Sequence, residues 1–228
     1  MDLNVLLLGR HEYGDALRIQ NELLEKRQRG EIGDTLILVE HDPVITLGRN
    51  AETSNITASE KYLKDNGISV HSINRGGDVT YHGYGQIVGY LIINLREKEI
   101  GVKKFVDTIE ELFIRLLDEK YGIAAGRDEH HTGVWVNDDK ILAIGLAVKR
   151  QVTMHGFAFN VSTNLEHFNN IVPCGIKEKG VTSLKKLLGK EFPDAGTECE
   201  SIISYFCSLF SYENFRMVKL EDILNQEV

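Results

Sequence analysis

Two side chains in this 228-residue chain are best suited to covalent chemistry. One is a cysteine set between a proline and a glycine, Val172-Pro173-Cys174-Gly175, and the other is a lysine heading an apolar run, Lys140-Ile141-Leu142-Ala143-Ile144. A thiol is a strong nucleophile once partly ionised, and ionisation needs a nearby cation or base. Pro173 lacks a backbone donor and Gly175 weakens regular structure, so Cys174 is expected on a tight loop rather than inside a helix or central strand. Such a loop presents the sulfur and leaves following N–H groups for an oxyanion. Lys140 follows the turn Asn137-Asp138-Asp139, and simple alternation sets it on the face of Leu142 and Ile144. Partial desolvation there lowers an amine's pKa and lets it exchange a proton with a thiol. The plainer alternatives are an incidental loop cysteine and a solvated turn lysine. Cys199 and Cys207 share an apolar helical face with Ile203 and Phe206 and read as small core hydrophobes.

The second candidate region is the run Arg75-Gly76-Gly77-Asp78-Val79-Thr80-Tyr81-His82-Gly83-Tyr84-Gly85-Gln86. Five glycines between positions 76 and 89 exceed what a regular strand favours and suit a backbone that bends or closely approaches a ligand. Thr80, Tyr81 and His82 add a hydroxyl, an aromatic wall and an imidazole. The spacing is neither the dinucleotide pattern nor a phosphate loop with its lysine and hydroxyl residue. A bulged hairpin with a merely hydrogen-bonded His82 is the competing reading. His155 and the pair His130-His131 are lesser candidates. No tight ligand spacing joins them to Cys174 as a metal site.

These residues need a scaffold. Leu3 to Leu8 reads as a first strand, and Ala16, Ile19, Leu23 and Leu24 give a helix over about Tyr13 to Arg29, closed by Gly30 and Gly33. Thr35 to Val39 and Val44 to Leu47, joined by Asp42-Pro43, look like a hairpin. Ser59 starts a short helix ending at Asn66-Gly67, followed by strand character over Ile68 to Ile73. Ile87 to Leu95 reads as a doubly buried strand. The stripe Phe105, Val106, Ile109, Leu112, Phe113, Leu116 and Leu117 predicts a core helix broken at Tyr121-Gly122. Val134 to Val136 and Ile141 to Ile144 flank a hairpin turn, and Phe157, Phe159 and Val161 alternate along another strand. Cys199, Ile202, Ile203, Phe206, Cys207 and Phe210 mark a last helix. The expected fold is α+β (mixed α/β): one domain over 1–228 with a largely antiparallel central sheet flanked by helices, and a C-terminal helical segment from about 196 packed on it.

A formal net charge of -8 argues against general nucleic-acid binding. An acidic partner needs a local basic patch, for which Lys177, Lys179, Lys185 and Lys186 are available, unless they form an ordinary solvated face. Three cysteines, an odd number, and the lack of a basic, apolar leader point to free thiols in a reducing, cytoplasmic setting. No stretch reads as a membrane span.

Five passages carry a resemblance: Glu40 to Arg49 (EHDPVITLGR), Arg75 to Gly83 (RGGDVTYHG), Lys140 to Gly145 (KILAIG), His155 to Val161 (HGFAFNV) and Ile171 to Ile176 (IVPCGI). In this order, from about residue 36 to residue 184, they resemble the successive motifs of the octanoyltransferases of lipoate biosynthesis. The resemblance implies a fold similar to the catalytic core of biotin protein ligases and lipoate ligases, and no cofactor or metal. It implies that Cys174 takes an octanoyl group from octanoyl-acyl carrier protein and passes it to a lysine of a lipoyl domain, in 2-oxoacid dehydrogenases or the glycine cleavage H protein. Lys140 would be the dyad partner. By motif position, Arg75, Gly76, Gly77, Asp78, Val79, Thr80, Tyr81, His82, Ala143, Ile144, Gly145, Gly156, Phe157 and Ala158 would line the acyl site. Phe157, Ala158 and Ile144 would serve as apolar walls, and the small residues Gly145, Gly156 and Ala158 either leave room for a chain or mark tight backbone crossings. One departure from the family pattern is Tyr84, where proline is usual. Neighbouring classes are an ATP-dependent lipoate or biotin protein ligase, an amidotransferase between lipoyl domains, and a non-catalytic acyl or carrier binding module.

Overall fold

A computed structural model describes residues 2–172 and 179–225. The chain opens with strand β1 (Asp2–His11), helix α1 (Tyr13–Arg29) and strands β2 (Thr35–His41) and β3 (Val44–Leu47). Helix α2 (Glu60–Asp65) and strands β4 (Ser69–Ser72), β5 (Val79–His82) and β6 (Gln86–Ile92) lead to the long helix α3 (Val102–Tyr121). Strands β7 (Val134–Val136), β8 (Asp139–Lys149), β9 (Val152–Asn160) and β10 (Gly180–Val181) follow. Helices α4 (Leu184–Leu188) and α5 (Ala195–Leu209), strand β11 (Asn214–Met217) and helix α6 (Leu220–Leu224) complete the order. The helix limits obey their caps: Gly30 (φ 77°) and Gly122 (φ 62°) take the left-handed conformation just past α1 and α3, which returns their N–H groups to the last carbonyls. Ser59 Oγ accepts the Tyr62 N–H at the start of α2.

The large sheet runs β10-β8-β9-β6-β2-β1-β11, with β7 also paired to β8. Its centre is antiparallel, from β8 through β9 and β6 to β2, and its flanks β1–β2, β1–β11 and β8–β10 are parallel. A second sheet has the order β4-β3-β5. The expected hairpin of β2 with β3 does not form. Asp42-Pro43 instead carries the chain from one sheet to the other, β2 pairing with β1 and β6 and β3 with β4 and β5. Both strands are buried throughout or nearly so, so no polar face in the sequence distinguishes a hairpin from two strands in different sheets.

Alternation then sorts the large sheet into two faces. Ile87, Leu91, Phe157 and Phe159 meet α3 and α5, where the Phe113 ring centroid lies 4.8 and 4.9 Å from those of Phe157 and Phe159. Val88, Tyr90, Met154 and Ala158 face the other way, toward Ala16, Ile19, Leu23 and Leu24 of α1. The small sheet closes over a third cluster made of Ile45, Leu63, Val79, Tyr81 and Phe168. Among the described residues no helix is long and apolar enough to cross a membrane.

One buried charge ties these layers. Asp34 accepts from Arg27 Nε at 3.0 Å, the Asn94 N–H at 2.9 Å and the Tyr212 hydroxyl at 2.7 Å, joining the end of α1, the start of β2, the chain after β6 and the chain after α5. Arg27 also grips Glu97 at 2.6 and 3.1 Å. Removing one member of a buried, fully hydrogen-bonded pair strands the other. Asp34→Ala is therefore expected to cost about 3–5 kcal/mol of unfolding free energy in urea titrations; a loss below about 1 kcal/mol, the range of a surface pair, would contradict this placement.

Candidate active site

A cavity of about 620 Å³ lies between the large sheet and the segment running from Arg75 into β5. Its scaffold is backbone. The Gly76 N–H donates to the Leu146 carbonyl of β8 at 2.8 Å, while Arg49 and Asn50 donate to the carbonyls of Arg75 and Gly77. Gly77 has φ 87°, which disfavours a side chain. The Arg75 guanidinium is buried and donates to Thr46 through Nη2, to the carbonyl at 2.8 Å and the hydroxyl at 3.0 Å. A Cβ on Gly145 would come within 3.0 Å of the Gly76 carbonyl oxygen and the Arg75 side chain, and one on Gly156 within 2.1 Å of the Gly89 carbonyl oxygen. Both glycines thus mark tight backbone crossings; Ala143 and Ala158 are the small side chains of the lining.

His82 is held by a hydrogen-bond chain whose direction is fixed at both ends. Gln86 Nε2 donates to the Tyr81 carbonyl at 3.2 Å and to Asn160 Oδ1 at 2.9 Å, and Asn160 Nδ2 donates to the Thr182 carbonyl at 3.1 Å. Carbonyls only accept, so both amide orientations are determined and Gln86 Oε1 must accept from His82 Nδ1, 2.7 Å away. His82 is therefore the Nδ1–H tautomer with a lone pair on Nε2. The chain continues through the backbone, since the Thr182 N–H donates to the Lys140 carbonyl at 3.0 Å. Nearby, Tyr90 donates to His41 Nε2 at 2.6 Å and His41 Nδ1 donates to the His11 carbonyl at 2.9 Å. Burial, aided by His41, pushes the His82 pKa down to about 3, and burial followed by the Arg75 charge pushes His155 down to about 4. Burial also lowers His41 and raises the phenols of Tyr13 and Tyr90. This end of the cavity therefore holds neutral imidazoles and phenols beside the positively charged Arg75 guanidinium.

Lys140 sits at the other end. Trp135 pairs with Lys140 and Val134 with Leu142, so Ile141 is bulged. Ile141 and Leu142 both enter the α3 layer, which breaks the alternation; Lys140 does not share the buried face of Leu142. It turns instead toward Trp135, its Nζ lying 4.7 Å from that ring centroid and donating to the Thr132 carbonyl at 3.1 Å. A carbonyl and a π face are partners for an ammonium. Lys179 Nζ lies 4.8 Å from the same ring and is paired with Asp128, whose carboxyl that contact, with the His130 N–H, holds down to about 2.

Lys140, Arg75 to Thr80, His82, Ala143 to Gly145 and Gly156 to Ala158 all line this cavity, as do His130, His131 and His155. The Tyr81 ring turns away, stacked on His167 at 5.1 Å in the small sheet's core. Phe157 borders the cavity along its strand while its ring packs with Phe113. Cys174 lies outside the described residues. Burial raises the Cys199 thiol to about 11 and also raises Cys207, consistent with inert core thiols. Sequence reasoning missed Tyr13, Val88, Tyr90 and Asn160, and named Gln86 only as the end of the glycine-rich run. The available signal was amide side chains at the ends of apolar strands, at Gln86 and Asn160, because a buried amide needs partners.

The fold is that of the lipoate and biotin protein ligases. A lipoate-protein ligase A bound with ATP superposes with a TM-score of 0.76 at 17% identity, covering 98% of this chain and 93% of the other. A biotin protein ligase from Aquifex aeolicus gives 0.56 at 11% identity, covering 92% and 71%. The lipoyl protein ligase A/B catalytic-domain model matches residues 12–206. An octanoyltransferase from Alkaliphilus metalliredigens is 59% identical over 220 residues, 96% of this chain and 100% of the relative. By these matches the chain belongs to the lipoyl protein ligase A/B catalytic family, among its octanoyltransferases.

The neutral histidines have a measurable consequence. Their pKa values lie below the unfolded value of about 6.5, so the unfolded chain binds more protons as pH falls. Their contribution is complete above about pH 6.5 and declines as pH drops, through about 4 for His155 and about 3 for His82. Unfolding free energy should fall between pH 6.5 and 4, and His155→Gln should flatten that slope. An unchanged slope in the variant would contradict a neutral, buried His155.

Proposed function

We propose that the protein transfers an octanoyl group from octanoyl-acyl carrier protein, through a thioester on Cys174, to a lysine amine of lipoyl domains, including those of 2-oxoacid dehydrogenases and the glycine cleavage H protein. Lys140 is the proton partner. The observation that carries this reading is an amine turned by a strand bulge into the mouth of a cavity whose sheet wall is small and apolar at Ala143, Ile144, Gly145 and Ala158 and whose far end is lined by neutral rings. Described residues on both sides of position 174 support it. The Val172 N–H donates to the Asn55 carbonyl at 2.8 Å, and Val181 pairs directly with Lys140.

In the first step the Cys174 sulfur attacks the donor thioester carbonyl; a C–S bond forms, the bond to the carrier breaks, and the carrier leaves as a thiol with a proton relayed by Lys140. In the second step the acceptor amine attacks the acyl-enzyme, an amide C–N bond forms, the Cys174 sulfur leaves, and the amine's proton passes through Lys140. A thioester donor already carries an activated acyl group, so neither step consumes a nucleotide. The ATP-dependent route of the ligase-like relatives is the reaction to be distinguished.

Incubation with octanoyl-acyl carrier protein and intact-mass measurement should show one octanoyl adduct, removed by mild hydroxylamine and absent in Cys174→Ala. Transfer by Cys174→Ala with ATP consumption would reject the acyl-thiol route. Lys140→Ala should slow acylation by about 100-fold or more at neutral pH and move its optimum upward; an unchanged pH profile would remove Lys140 from the chemistry.

A further inference from the structure

The slot has an open end and a closed end. Lys140 and His131 are partly exposed and Val102 is 47% exposed, whereas Tyr13 is 2%, Tyr90 3% and His155 2% exposed. The closed end is a set of rings. Tyr13 stacks on His82 at 6.2 Å, with its ring centroid 5.2 Å from both His41 and His71. Tyr90 lines the cavity with Tyr13 and His82 and is bonded to His41, which backs them. The rings come from α1, β2, β4, β5 and β6, and two hydrogen-bond chains anchor three of them, one from Tyr90 through His41 to the His11 carbonyl and one from His82 through Gln86 and Asn160 to the Thr182 carbonyl.

Such an end wall behaves unlike an aliphatic one. Leucine or methionine can change rotamer and admit another methylene. Rings fixed by directional bonds, as His41, Tyr90 and His82 are, cannot move without stranding a buried donor or acceptor, and Tyr13 is packed against His41, His71 and His82. The scale also fits. From β8 to β2 the sheet has three strand spacings, about 14 Å, less the inward reach of the Tyr13 and His82 rings. An extended eight-carbon chain, seven C–C bonds of about 1.5 Å in zigzag, spans roughly 9 Å.

The geometry points to the Tyr13–His41–Tyr90–His82 ring wall as the acyl chain-length gauge, with Tyr13 the residue that stops the chain end. This deepens the acyl-transfer reading and rests on it. Tyr13 is a specificity-determining side chain in this account, and it takes no part in the bond changes.

The test uses the full-length protein with acyl-carrier-protein thioesters of 6, 8, 10, 12 and 14 carbons in pairwise competition, read by intact mass. The wild type should disfavour the 12-carbon against the 8-carbon chain by at least tenfold, and Tyr13→Ala should raise that ratio at least tenfold; Tyr13→Leu makes the same test if the alanine variant does not fold. A wild type indifferent between 8 and 14 carbons, or Tyr13 variants with an unchanged profile, would overturn the gauge. Calorimetric binding of free octanoic, decanoic and dodecanoic acids to the same proteins reads the length limit without any acyl-enzyme. Absence of every covalent adduct with a sharp length limit in calorimetry would sink the thioester reading and keep the gauge, and adducts with no length limit would do the reverse.

Discussion

The structure depends most on the hydrogen-bond chain that leaves His82, passes through two buried amides and ends on the Thr182 carbonyl. Its direction cannot reverse, because Gln86 Nε2 and Asn160 Nδ2 each donate to a backbone carbonyl, of Tyr81 and of Thr182. One constraint thereby fixes an imidazole tautomer, two amide orientations and the relative positions of β5, β6, β9 and the chain after β10. Through the Thr182 N–H it also reaches the strand that carries Lys140. The segment beside the cavity and the amine at its mouth therefore belong to one bonded unit. A half-satisfied version of this network would cost more than an apolar core, which is why its members must act together.

Electrostatics divides the cavity into two unlike ends. The deep end holds histidines and phenols whose burial suppresses charge. The mouth holds Lys140, which shares the Trp135 ring with Lys179, itself paired with Asp128. The deep end's cation, the Arg75 guanidinium, is turned onto the Thr46 carbonyl and hydroxyl and the Gly76 carbonyl. The shared fold does not by itself choose between acyl transfer and ligation, since function is set by the site grafted on it.

Much of this was legible in the residues. The apolar stripe from Phe105 to Leu117 and the glycine after α1 gave helices whose limits the caps confirm, because periodicity and left-handed glycine are local signals. The cavity segment from Arg75 and the placing of Lys140 on a strand after a turn were also readable. Three features were not. The partners of β2 and β3 depend on which sheet each strand enters, and a run buried on both faces carries no such information. The bulge at Ile141 inverts the facing of Lys140, and nothing in the run from Lys140 to Ile144 marks the extra residue. The ring wall collects Tyr13, His41 and Tyr90 from distant segments, where Tyr13 reads only as a helix start and Tyr90 only as part of an apolar strand.

The most direct test of the central claim is a single-turnover transfer from the isolated acyl-enzyme. The protein, acylated and then freed of carrier protein and nucleotide, is mixed with a lipoyl domain, and both masses are followed. The account predicts that octanoyl appears on the domain lysine in the same amount and at the same rate as it leaves the enzyme. An adduct that persists, or one that transfers only when ATP is added, would contradict it.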